Sequence, residues 1–141
     1  MLAATRGLSL AFMLSGCGGG GAEAKGSVLL LRCGDSNRTA CQVNPDYTSA
    51  NYATVGSECS GRGGDDDLAG GAAVTVYDAS GAIVGTGELA PGQVQKGVAC
   101  QFDFAVKDLP KSKFYQVEVA HRGKVTEPAD KIGDIGLSIG G

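Results

Sequence analysis

The 141-residue sequence predicts an all-β protein, a small antiparallel β-sandwich of six or seven strands stapled by disulfides. Three observations carry that expectation. First, Phe102, Phe104 and Val106 alternate with Gln101, Asp103 and Lys107, and Tyr115, Val117 and Val119 alternate with Gln116, Glu118 and Ala120. A period of two puts one face in a core and the other in water. Second, there are 24 glycines and no long apolar stretch of period 3.6, so turns are frequent and helices few. Third, Cys33, Cys41, Cys59 and Cys100 form an even set with no C-x-x-C spacing and a single histidine, which suits structural disulfides better than a zinc or redox centre.

Each element follows from local chemistry. Val28 to Leu31 reads as the first strand of the domain. Val74 and Val76 open a hairpin whose turn is Asp78-Ala79-Ser80-Gly81, and Ile83 and Val84 begin the return strand. Pro91-Gly92 marks the next corner, and Cys100 falls on the apolar face of the strand through Val106. Leu109-Pro110 ends that strand, Arg122-Gly123 turns the chain after Val119, and Ile135 to Ile139 supplies the last strand. Two sheets burying such alternating faces make a sandwich. Four cysteines allow three pairings. The reading favours Cys59 with Cys100, which flank the regular β region, and Cys33 with Cys41, which close a compact polar loop.

The first sixteen residues read as a targeting segment. Arg6 and the terminal amine supply positive charge, and Leu8 to Leu14 form a brief apolar core. That core is far shorter than the roughly 20 residues a membrane-spanning helix needs. Leu14-Ser15-Gly16-Cys17 then closes the segment. This box resembles the lipobox of bacterial lipoproteins, in which the first three positions are read by a dedicated peptidase. The resemblance implies that Cys17 becomes the new N-terminus and carries a diacylglyceryl group, placing the protein on the outer face of the cell membrane with the lipid bilayer as a partner. The domain expectations are therefore a signal peptide over 1–16, a lipidated cysteine with a flexible Gly-rich linker over 17–26, and a β-sandwich over 27–141 with a polar disulfide loop at 33–59.

Without residues 1–16 there remain 125 residues, enough for one core, with 11 basic and 15 acidic side chains and a net charge of −4. That balance, with no basic stripe and no tryptophan, argues against nucleic acid or an anionic lipid surface as partner.

The run Val74-x-Val76-x-Asp78-x-x-Gly81, Cys100-x-Phe102-x-Phe104, Leu109-Pro110 and Tyr115-x-Val117-x-Val119 resembles the prealbumin-like modules of carboxypeptidase regulatory domains. From Cys59 to Ile139 the chain is also similar to small actinobacterial lipoproteins. The former resemblance implies a β-sandwich without catalytic residues of its own.

Two stretches invite chemistry. Asp65-Asp66-Asp67 concentrates carboxylates between glycine pairs, and calcium is the cation such oxygens would take, with Glu58 or Asp103 as further ligands. Read otherwise, it is a solvated acidic turn. Gly34 to Ser57 is polar and carries Tyr47, Asn51 and Tyr52, residue types suited to a recognition surface. The lone His121 has no evident nucleophile partner, so no enzyme is expected and no obligatory cofactor. The leading expectation is a membrane-anchored binding or interaction module for an envelope protein, a wall polymer or an incoming phage protein. The alternatives are a calcium-stabilised structural protein and an envelope hydrolase.

Overall fold

The computed structural model describes residues 21–31, 41–43, 55–95 and 99–140. Within them the chain forms ten strands: β1 (Ala22–Leu30), β2 (Cys41–Val43), β3 (Glu58–Gly61), β4 (Ala73–Tyr77), β5 (Ile83–Glu88), β6 (Gly92–Gln95), β7 (Ala99–Leu109), β8 (Phe114–Val119), β9 (Lys124–Pro128) and β10 (Ile135–Ile139). They make a four-stranded sheet, β9-β8-β4-β5, and a six-stranded sheet, β10-β1-β7-β6-β3-β2. All pairs are antiparallel except β10 with β1. The all-β, two-sheet class is as the sequence implies. The strand count exceeds six or seven because β2, β3, β6 and β9 are too short or too polar to show an alternation.

The two inner faces meet in one core. Val28, Leu30, Phe102, Phe104 and Val106 come from the larger sheet, and Val74, Val76, Tyr115, Val117 and Val119 from the smaller, all buried. These are the alternating positions of the sequence, paired across strands as Val28 with Phe102 and Val117 with Val76. Burying so many large apolar side chains contributes about 1.5–3 kcal/mol each before the entropy of ordering is set against it. The Tyr115 hydroxyl reaches the backbone of its own approach loop, donating to Pro110 O at 2.6 Å.

Strand β7 departs from simple alternation near its end. Ala22 pairs with Leu109 and Ala24 with Val106, so Lys107 and Asp108 together oppose Glu23. Asp108 sits in the left-handed region at φ 60, and this bulge returns Leu109 to the core. Glycine makes room opposite: a Cβ on Gly85 would lie 2.7 Å from Leu109 Cδ2 and 2.8 Å from Val106 Cγ1.

One boundary is corrected. Residues 22–26, expected to belong to a flexible linker, form the first half of β1, and Ala24 is fully buried. Lacking large apolar side chains, the stretch packs by close approach instead: a Cβ on Gly26 would collide with the Ile135 carbonyl of β10. Small residues here permit tight strand contact rather than disorder.

The hairpin expected at Asp78-Ala79-Ser80-Gly81 joins β4 to β5. Asp78 Oδ1 accepts from Ser80 N, Ser80 Oγ and Ala82 N, and Gly81 takes the positive φ of 88 that the turn needs. Those donors hold the Asp78 carboxyl below its ordinary pKa, the Ser80 hydroxyl first among them.

Candidate functional site

Cys59 and Cys100 are joined as the sequence favours, with Cα atoms 6.0 Å apart and both side chains buried. The bond skips a strand. Cys59 on β3 pairs with Gly92 on β6, and β6 in turn pairs with β7, which carries Cys100. In a flat sheet the outer two strands would stand about 9.6 Å apart, two strand spacings. The sheet therefore curls inward, and the sulfurs cross above Gly92, where a Cβ would lie 2.6 Å from Cys100 Sγ and from Phe102 Cε1. Cys41 is also buried and disulfide-bonded, to a residue outside the described ones. Cys33, its expected partner, lies outside the described residues, as do Leu14, Ser15, Gly16, Cys17, Tyr47, Asn51 and Tyr52.

The acidic loop is built around Leu68. That side chain is fully buried, and Gly61 N donates to Leu68 O at 2.7 Å. A single 3-10 turn over Gly63–Asp65 then leaves Asp65 and Asp67 at the surface. Their partner is Arg122, 55 residues from Asp67. Its Nε donates to Asp67 Oδ2 at 2.8 Å, its Nη2 to Asp67 Oδ1 and to Gly64 O, the latter at 3.1 Å, and its Nη1 lies 3.0 Å from Asp65 Oδ1. The hydrogen bond from Arg122 holds the Asp67 carboxyl below its usual range, while Asp67 keeps the guanidinium charged to still higher pH. Two of the three carboxylates expected to take calcium, Asp65 and Asp67, thus pair with a guanidinium of the chain itself. Glu58 and Asp103, the further ligands expected, stand elsewhere, and among the described residues no three His, Cys, Asp or Glu side chains are grouped to hold a metal ion. No sequence spacing links Arg122 to this loop; only the β8–β9 turn brings it there.

That turn is strained. Ala120 and His121 have φ of 50 and 64, and Arg122 N closes the turn on Val119 O at 3.0 Å. Two consecutive left-handed residues are the hairpin geometry that Asn-Gly normally adopts, and non-glycine residues hold it only where the surroundings insist. His121 is exposed and makes no hydrogen bond or ion pair among the described residues.

A groove of about 750 Å³ opens where Ala69–Gly71 and Glu88–Pro91 pass beside β3 and β7, over Phe104 and Ala105. Glu58, Glu88 and Asp103 line it with one ammonium, Lys25, and the side chains of Glu58 and Glu88 have no partner among the described residues. Such a lining favours a ligand with cationic groups. The outer face of the smaller sheet is occupied differently: the Tyr77 hydroxyl donates to Glu118 Oε1 at 2.7 Å, and Lys124 Nζ stands 3.9 Å above the Tyr77 ring. The bond to Glu118 raises the phenol pKa.

Comparison with protein-family models, with curated proteins and with solved structures found no match.

Proposed function

We propose that the chain is an exported lipoprotein, acylated on Cys17, whose β-sandwich serves as a binding module on the outer face of the cell membrane. The observation that carries this reading is the Leu14-Ser15-Gly16-Cys17 box after a short apolar run. The core disulfide supports it, since such bonds persist in oxidising compartments outside the cytoplasm. Binding rather than catalysis fits a scaffold whose single histidine stands exposed and unpartnered among the described residues. Cys33 with Cys41 remains the proposed second staple, closing the polar segment in which Tyr47, Asn51 and Tyr52 would contact an envelope protein, a wall polymer or an incoming phage protein.

The test is crosslinking of the tagged protein on intact cells, with mass spectrometry of what is captured and with Cys17→Ser alongside. The reading expects wild-type protein in the membrane fraction, Cys17→Ser released from it, and a specific partner joined through residues 34–57. Cys17→Ser protein that stays in the membrane would remove the lipid anchor, and absence of any captured partner would remove the interaction module.

A further inference from the structure

The early start of β1 shortens the proposed tether. Ala22 is the first strand residue, so only Gly18 to Gly21 separate it from Cys17. Gly21 is itself seated: a Cβ there would lie 2.7 Å from Asp108 Cα. The distance from Cys17 to Gly21 is at most about 14 Å, four residue steps at full extension. Strand β7, by contrast, runs 11 residues, roughly 37 Å at 3.4 Å each. A lipid on Cys17 would therefore hold one end of the sandwich against the bilayer.

The register identifies that end. Ala22 pairs with Leu109, Tyr77 with Ile83, and Phe114 with Pro128, so the β4–β5 turn, the β7–β8 connection and the segment after β9 gather beside the start of β1. They are bound into one surface: Ala79 N donates to Ser112 Oγ at 3.0 Å, Ser112 Oγ donates to Phe114 O at 2.8 Å, and Ala129 N donates to Lys113 O at 3.4 Å. Two of the four large exposed apolar side chains among the described residues lie here, Ile83 at 62% and Phe114 at 36% exposure. Lys111 and Lys113 precede Phe114, and neither ammonium has an ion-pair partner among the described residues.

We infer that this end is a bilayer-contacting surface, with Ile83 and Phe114 entering the headgroup layer and Lys111 and Lys113 reaching lipid phosphates. The inference rests on the lipoprotein reading and adds its orientation. Asp78, Asp108, Asp130 and Asp134 share the same end, so net charge does not drive the contact. The tether does: it keeps the surface at high effective concentration, and modest apolar area then suffices. The opposite end faces outward, carrying the Arg122 clamp and both Leu31 and Val55, between which the polar segment runs. Leu31 N donates to Ile139 O and Gly56 N to Val94 O, which fixes those two points at that end.

The chain has no tryptophan, so one introduced indole is a clean depth probe. Ile83→Trp and Val55→Trp are matched, since the native side chains are 62% and 59% exposed at opposite ends. Acylated protein would be purified from cell membranes, its mass measured, and each variant placed in zwitterionic phosphatidylcholine vesicles with brominated acyl chains. We expect Ile83→Trp emission to shift blue and be quenched several-fold more than Val55→Trp, with Phe114→Trp behaving like Ile83→Trp. Equal quenching at both ends, or stronger quenching at Val55→Trp, in protein whose mass includes the acyl chains would overturn the orientation alone. A mass without acyl chains would overturn the lipoprotein reading and the orientation with it.

Discussion

Two of the cross-links that close this sandwich, both between described residues, differ in nearly every physical respect. Cys59–Cys100 is covalent, buried, and joins strands on either side of β6. Arg122 with Asp65 and Asp67 is electrostatic, partly exposed, and ties the β8–β9 turn to the loop before β4. The first depends on a vacancy, since Gly92 leaves the space the sulfurs cross. The second depends on strain, since Ala120 and His121 must hold positive φ to bring Arg122 into reach. A buried bond resists salt and acid and needs only that its neighbours stay small. A surface ion pair responds to solvent and adds little to global stability.

The largest expected effect comes from removing the covalent link. Closing a loop with a sequence separation of 41 lowers the entropy of the unfolded chain by an amount worth about 4 kcal/mol. Cys59→Ala with Cys100→Ala should lower denaturant stability by that order, and a loss under about 1 kcal/mol would show that the curled sheet holds itself without the bond. Gly92→Ala comes next. The added methyl collides with Cys100 Sγ and Phe102 as well as the Cys59 carbonyl, so the sheet must open or the sulfurs part. An expected cost of about 1–3 kcal/mol follows from overpacking, with thiols becoming titratable in a fraction of the molecules. Full oxidation and unchanged stability would contradict the vacancy argument.

How much of this was legible beforehand depended on range. The alternations over Phe102 to Val106 and Tyr115 to Val119 identify the core because strand period is written in neighbouring residues, and Asp78 to Gly81 announces its hairpin for the same reason. Pairing Cys59 with Cys100 was within reach because both border regular strands. The route of that bond over Gly92 was not, because it arises from sheet curl. The stretch 22–26 misleads because composition cannot distinguish small residues that flex from small residues that pack. Asp65 and Asp67 read as solvated or metal-binding carboxylates because their partner is 55 or more positions away. The groove is assembled from five separate segments and leaves no trace in any one of them.

The strained turn offers a gain rather than a loss. Replacing Ala120 and His121 by Asn and Gly supplies residues at ease with positive φ and should raise stability by about 1 kcal/mol, or a few degrees in Tm. An unchanged or lower Tm would mean that the turn is not under strain as its dihedrals indicate.

The smallest effect separates the two cross-links most cleanly. Arg122→Ala leaves Asp65 and Asp67 facing one another without a cation, at an expected cost of about 1 kcal/mol or less at neutral pH, because both partners touch solvent. The folded pKa of Asp67 lies below its ordinary value of 3.8, so its contribution is complete above that value and is lost as pH falls through the lowered one. Asp78 is depressed by its own turn and titrates in the same acid window, yet it is untouched by Arg122. The informative quantity is therefore the difference in Tm between wild type and Arg122→Ala, followed from neutral pH downward. That difference should shrink in acid, below the ordinary carboxylate value of 3.8, as Asp67 protonates and loses its attraction for the guanidinium. It should also shrink in high salt at neutral pH. A gap that persists unchanged through both conditions would mean that Arg122 acts by packing its side chain on the loop, and the electrostatic half of the comparison would fall.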